Sequence, residues 1–226
     1  MMQSSQTSFL FDLDGTLVDS VYYHVLAWHE ALEIENIPLS IWRIHRKIGM
    51  SGGLLTNMLL RETGLTLDRA RIEHLQRIHS EIYQRRASNI KPLPGAVELL
   101  AYLREAEIPF AIATSGRMET ARLALAALAI DDTKVPVVTR DQVKYAKPDP
   151  DLFLAAAKRL GAEISISTVV GDSVWDMLAS RRAPALGIGL LSGGYGEEEL
   201  ARAGAYRVYE DPADLLKHID EVGGRR

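Results

Sequence analysis

Apolar positions change period once along the chain, and the change divides it. Over 21–87 they recur at helical spacing: Tyr22, Val25, Leu26 and His29 share one face, and so do Ile72, Leu75, Ile78 and Ile82. Breaks at Asn36-Ile37-Pro38, over 49–53 and at Gly64 divide this stretch into about four helices with no sheet of their own. After Lys91-Pro92-Leu93-Pro94-Gly95, short apolar runs alternate with helical segments. Helices predicted over 96–106, 119–129, 150–160 and 174–182 are followed by apolar runs at 108–113, 135–138, 168–170 and 185–188. Val208 marks a last short strand ahead of a helix over 213–219. Such repetition predicts right-handed βαβ units and a parallel sheet covered on both faces. Residues 8–13 form one more strand-like run, separated from its fellows by the whole helical stretch. The simplest reconciliation is an α/β core of 1–18 and 93–226, with 19–92 inserted after the first strand as a helical module.

Composition narrows the chemistry. The 226 residues are ample to bury a core, and 47% apolar with 25% charged residues is ordinary for a soluble globular chain. The absence of cysteine excludes disulfides, thiolate metal sites and a cysteine nucleophile. A net charge of −4 gives no reason to expect nucleic acid as a partner. Phe9-Leu10-Phe11 is broken at once by Asp12, unlike a signal peptide, and no window approaches the roughly 18 apolar residues of a membrane span. A cytoplasmic protein, monomer or homodimer, is expected, with Trp28, Trp42 and Trp175 in the core or at an interface. The charge is uneven. Between Asp19 and Lys91, ten basic side chains face eight acidic ones, a surplus of +2, while the rest of the chain carries −6. A positive module over an acidic body would help to attract anions.

An open parallel sheet places its ligands at the carboxyl ends of its strands. After the first predicted strand comes Asp12-Leu13-Asp14-Gly15-Thr16-Leu17, and after 108–113 comes Thr114-Ser115-Gly116. Lys147-Pro148-Asp149-Pro150 follows the third strand, and Gly171-Asp172-Ser173 with Asp176 follows the fourth. Three or four carboxylates, a lysine and two hydroxyls thus meet on one rim. Crowded carboxylates need a cation, and hard oxygen ligands completed by water describe Mg²⁺. Mg²⁺, an ammonium and hydroxyl donors together suit a phosphoryl group. One carboxylate could attack phosphorus while its neighbour two residues on handles the proton. Singly, each piece has a plainer reading. Asp149 reads as a helix cap before Pro150, Lys147 as a solvated charge, and Asp176 as a surface residue near Arg181. Four sites in order, each at a strand end, favour the joint reading.

The segment Phe11-Asp12-Leu13-Asp14-Gly15-Thr16-Leu17-Val18-Asp19-Ser20 resembles the first signature of the haloacid dehalogenase superfamily of phosphohydrolases. Ala113-Thr114-Ser115, Lys147-Pro148-Asp149-Pro150 and Gly171-Asp172-Ser173-Val174-Trp175-Asp176 resemble its other three, in order. The resemblance implies a Rossmann-like core with an inserted α-helical cap. It implies Asp12 as the nucleophile forming an aspartyl-phosphate, and Asp14 as general acid and then general base. Thr114 would hydrogen-bond the phosphoryl oxygens, and Lys147 would balance charge. Mg²⁺ would be held by Asp12, the Asp14 backbone carbonyl and Asp172, with Asp176 close by.

Within that family Asp14 argues against dehalogenation, because an ester intermediate at carbon needs no leaving-group acid there. A phosphatase acting on a small phosphorylated metabolite is the leading expectation. A sugar-phosphate mutase of the β-phosphoglucomutase kind is the alternative, since Asp19-Ser20 followed by Tyr22, Tyr23 and His24 resembles the early cap helix of those enzymes. They also carry an arginine in the next cap loop, where this chain reads Ile48-Gly49-Met50-Ser51-Gly52-Gly53. Loss of a bidentate anion clamp favours hydrolysis, and Arg46 or Lys47 could substitute only from different places. Ser51 and Gly52 either present a helix N-terminus to substrate or form an ordinary capped turn. His24, with Thr114 and Ser115, is a further candidate for substrate contact, or else a packed helix-face residue.

Overall fold

Phe9–Phe11 forms a three-residue strand, β1, that is buried on both faces. The computed structural model describes residues 7–50 and 52–225, without the side chains of Leu59, Leu60 and Ala87. β1 lies between β2 (Phe110–Ala113) and β4 (Thr168–Gly171), with Phe9 in register with Phe110 on one side and Thr168 on the other. β3 (Val137–Val138), β5 (Leu186–Leu190) and β6 (Arg207–Tyr209) complete a sheet of order β3-β2-β1-β4-β5-β6, parallel throughout. The alternation of side chains along β1 explains both layers. Phe9 and Phe11 pack with helices α5 (Ala96–Glu105), α6 (Met118–Ala127) and α10 (Pro212–Lys217). Leu10 faces the opposite layer, α7 (Asp151–Leu160) and α8 (Val174–Arg182). The expected α/β parallel-sheet fold is therefore the observed one.

Between β1 and α5 the chain runs through α1 (Val21–Ile34), α2 (Ile41–His45), α3 (Gly52–Thr63) and α4 (Arg69–Arg85), four α-helices with no strand of the sheet among the described residues. Val25, Trp28, Ile44, Leu55 and Leu75 form an apolar cluster within this insertion. The chain leaves and re-enters the sheet layer along two adjacent segments: Asp19 N–H donates to Lys91 O (2.9 Å) and Leu93 N–H to Leu17 O (3.0 Å). Trp28 is buried, whereas Trp42 is 63% exposed. No helix among the described residues is long and apolar enough to cross a membrane.

Two local expectations are corrected. Asp149 is not the cap of α7: Leu154 N–H donates to Pro150 O, which makes Pro150 the cap, and Asp149 lies 3.4 Å from Arg182. An unexpected helix, α9 (Glu197–Ala203), fills the span between β5 and β6. It has a single well-buried apolar residue, Leu200, too weak a period to read, but three glutamates in its first turn suit the positive end of its dipole.

Candidate functional site

The order of strands reverses beside β1, where an open α/β sheet leaves a crevice at its carboxyl edge. Asp12 continues from β1 into that crevice, its N–H held by Val170 O at 2.9 Å. Asp172 follows β4, with one carboxylate oxygen accepting from Thr16 Oγ1 at 2.8 Å. Asp176 lies in the first turn of α8. Its Oδ2 accepts from the Ser173 N–H (3.1 Å) and hydroxyl (2.5 Å), and its Oδ1 lies 2.7 Å from Lys147 Nζ. The surface reading of Asp176 is thereby corrected: it is fully buried, because the start of α8 turns this side chain under the rim. Lys147 is also fully buried and its ammonium donates to Asp12 as well, so the solvated-charge reading of Lys147 fails too.

Asp12, Asp172 and Asp176 each offer an oxygen within 4.8 Å of the others. Three buried carboxylates against one ammonium leave two negative charges uncompensated. Burial, with repulsion from Asp176 and Asp14, outweighs Lys147 and pushes Asp12 up to about 7. Burial and its neighbours Asp176 and Asp12 hold Asp172 well above the usual carboxylate range. Lys147 is held above its ordinary value: burial opposes this, but Asp12 and Asp176 prevail. A divalent cation among these oxygens would remove the repulsion and keep the carboxylates ionised, so the donor set fits a hard ion such as Mg²⁺. Space is reserved beside Asp172, where a Cβ on Gly193 would collide with its carboxylate.

Asp14 stands apart from this cluster. Its Oδ1 accepts from Ser20 Oγ (2.6 Å) and Tyr83 OH (3.3 Å), and lies 3.3 Å from His24 Nε2. Burial alone would raise it, but His24, Ser20 and Tyr83 together hold it below the usual carboxylate value. Thr114 is buried at the end of β2; its Oγ1 accepts from Gly116 N–H at 3.0 Å, leaving the hydroxyl proton available for a ligand. Ser115 Oγ is buried without a hydrogen-bond partner. Asp12, Asp14, His24, Thr114 and Ser115 all open onto one cleft of about 590 Å³ between the sheet edge and the helical insertion. Trp28, Ile48, Met50, Leu55 and Ile72 contribute apolar wall from the insertion. Gly52 opens α3, beside Gly53, which lines the cleft. Ser51 lies outside the described residues.

Several residues lining the cleft or packed behind it escaped the reading of the sequence. Ser20, Tyr83 and His79 surround Asp14 or His24, and Arg69, Arg117 and Arg140 line the cleft. Arg140, just beyond β3, was accessible to the strand-end rule; Tyr83 and His79 come from α4 and carry no such signal. Arg46 and Lys47 are engaged elsewhere, Arg46 with Glu199 and over the Tyr195 ring, Lys47 with Glu62 at 3.0 Å.

A parallel sheet whose switch point holds a carboxylate cluster, a buried lysine and a hydroxyl turn defines a class of hydrolases. The family model for haloacid dehalogenase-like hydrolases matches residues 7–184. The chain is 32% identical over 209 residues to a phosphoglycolate phosphatase of Caulobacter vibrioides, covering 92% of this chain and 88% of that protein. It is 30% identical over 215 residues to a β-phosphoglucomutase of Bacillus subtilis, covering 93% and 92%. The crystal structure of a hydrolase from Pseudomonas syringae superimposes with a TM-score of 0.95 at 59% identity, covering 96% of this chain and all of that one. This chain belongs to the haloacid dehalogenase-like hydrolase family.

Proposed function

We propose that the chain is a Mg²⁺-dependent phosphatase that hydrolyses a small phosphorylated metabolite through an aspartyl-phosphate on Asp12. The observation that carries this reading is Asp14, a second carboxylate two residues from Asp12, fixed in the same cleft by Ser20, Tyr83 and His24. Expulsion of an alkoxide from phosphorus needs an acid at that place. Asp12, the Asp14 backbone carbonyl and Asp172 would hold Mg²⁺, with Asp176 close behind; the bound ion supplies positive charge against the carboxylates and phosphoryl oxygens.

Thr114 and Ser115 donate to the phosphoryl oxygens, and Lys147 offsets the charge on Asp12. A carboxylate oxygen of Asp12 forms a bond to phosphorus as the bond to the leaving oxygen breaks. The proton of Asp14 passes to that oxygen. The incoming anion raises the proton affinity of Asp14, which prepares it for this step. Asp14 then takes a proton from water whose oxygen attacks phosphorus, and the Asp12–phosphorus bond breaks to release phosphate. In this reading residues 19–92 are a cap over a core of 1–18 and 93–226, hinged where the two crossing segments pair, and the enzyme works in the cytoplasm as a monomer or homodimer. Asp12→Asn is expected to abolish Mg²⁺-dependent release of phosphate from an aryl phosphate; unchanged turnover would refute the assignment.

A second reading, a sugar-phosphate mutase, is favoured by the likeness to the B. subtilis β-phosphoglucomutase and by His24. Against it, Arg46 and Lys47 are tied to Glu199 and Glu62 and do not replace the missing clamp. Bisphosphate-stimulated isomerisation of a sugar monophosphate, in place of phosphate release, would establish the mutase.

A further inference from the structure

Four rings from the helical insertion cluster behind Asp14, with His79 beside His24 and 6.2 Å from Tyr83. Tyr83 stacks on His24 (centroids 3.8 Å, planes 6° apart), His24 on His79 (5.3 Å, 20°), and His79 on Trp28 (4.3 Å, 17°). Within this cluster a polar chain runs from Asp14 Oδ1 to His24 Nε2 at 3.3 Å, and from His24 Nδ1 to His79 Nε2 at 3.2 Å. We propose that His79 is a positioning residue for the acid–base carboxylate, holding His24 in the one ring orientation that aims its Nε2–H at Asp14.

The hydrogen-bond inventory requires this orientation. An ionised Asp14 only accepts, so the His24 nitrogen beside it must carry the proton. The other nitrogen, Nδ1, then meets His79 Nε2. Burial, with the neighbouring His24, drives His79 well below the ordinary imidazole value, against a smaller opposing pull from Asp14, so its ring is neutral. A neutral ring offers either a donor or an acceptor, and His79 satisfies Nδ1 whether His24 is neutral or charged. Stacking fixes the plane of His24, but a stack alone permits the ring to flip about its long axis. The His79 bond removes that freedom. Among the described residues His79 makes no hydrogen bond to Asp14 or to the carboxylate cluster, so its influence on the reaction passes through His24.

This inference rests on the assignment of Asp14 as acid and base, and two arms keep the claims separable. His79→Phe retains a ring in the stack and removes the nitrogen; His79→Gln returns a polar atom near the Nε2 position. With an aryl phosphate and saturating Mg²⁺, His79→Phe is expected to lower kcat by about tenfold with KM within about twofold. That is a fraction of the roughly 10²–10⁴ contributed by a placed acid–base group. His79→Gln should recover most of the loss. The second arm is independent of turnover: two-dimensional ¹H–¹⁵N spectra of the imidazoles should show His24 protonated at Nε2 in the parent and a shifted or exchange-broadened pattern in His79→Phe. Wild-type kcat in His79→Phe, equal losses in both variants, or a rise in KM alone would overturn the proposal. So would an unaltered His24 spectrum. A parent with no phosphatase activity but the expected spectra would refute the enzymatic reading and leave the positioning of His24 standing.

Discussion

Lys147 is the one cation among three buried carboxylates, and its removal should be felt as strongly in folding as in catalysis. Breaking a buried ion pair costs about 3–5 kcal/mol because the surviving charges remain desolvated. Lys147→Ala is therefore expected to lower chemical-denaturation stability by that order and to abolish turnover, with divalent cation restoring stability more than activity. Gly193→Ala is the complementary case. The added methyl would run into the Asp172 carboxylate, so the Mg²⁺ concentration for half-maximal activity should rise by about tenfold, with kcat at saturation less affected. Asp12, Lys147 and Asp172 were legible from their places after strands. Asp176 was ambiguous because a residue four beyond Asp172 can face solvent or core, and only the burial of the α8 terminus decides.

At the scale of elements, the insertion and the core are joined at a second place away from the cleft. His45 Nε2 lies 2.8 Å from Gly193 O, Tyr195 OH donates to Arg46 O at 3.0 Å, and Arg46 pairs with Glu199 of α9. This contact ties the end of α2 to the loop that passes Asp172. The Arg46–Glu199 pair is partly exposed, so Arg46→Ala should cost no more than about 1 kcal/mol, or roughly 2–4 °C in Tm. Its larger expected effect is on kcat/KM, measured by steady-state kinetics, because on the proposed reading of 19–92 as a cap its closure over the core loses a fastening point. The helices themselves were readable from period: α1 and α4 appear where Tyr22 to His29 and Ile72 to Ile82 predict them. Their meeting with Asp14 was not. Helical spacing states which residues share a face of α4, but not that Tyr83 would come to rest beside a loop some seventy residues earlier, or His79 beside His24 of α1. α9 was hidden for a different reason, since one buried leucine makes no period.

For the molecule as a whole, the uncompensated carboxylates make stability depend on pH and metal together. Asp12 and Asp172 take up protons more readily in the folded chain than in the unfolded one. Their contribution is thus present at acidic pH and is lost as pH rises through their folded-state values. In the presence of a chelator, the share due to Asp12 is expected to be lost between about pH 4 and pH 7, with Asp172 acting in the same direction. Mg²⁺ should raise Tm more at pH 8 than at pH 5, where protons compete for the same oxygens. Thermal melts across that range with and without Mg²⁺ check the sign. The alternation of strand and helix announced the parallel sheet, because it is a local pattern. The depth of the cleft and its wall of Trp28, Ile48 and Met50 depend on how two packed layers face one another, which no local pattern records.

The position of β1 has a consequence for synthesis. This strand leaves the ribosome ahead of the rest of the sheet, yet its two neighbours begin at Phe110 and Thr168. Phe9–Phe11 must wait unpaired and wholly apolar while the helical insertion and α5 emerge, and then paired on one side alone, with β2, while α6, β3 and α7 follow. Only when β4 arrives does the nucleophile's strand gain its second partner, and Asp172 and Asp176 follow directly. Nascent chains that stop short of β4 should remain open to proteolysis near the N-terminus, and resistance should appear as one late event. The carboxylate cluster thus comes together only after β4 has emerged, and no nascent chain that stops short of β4 can assemble it.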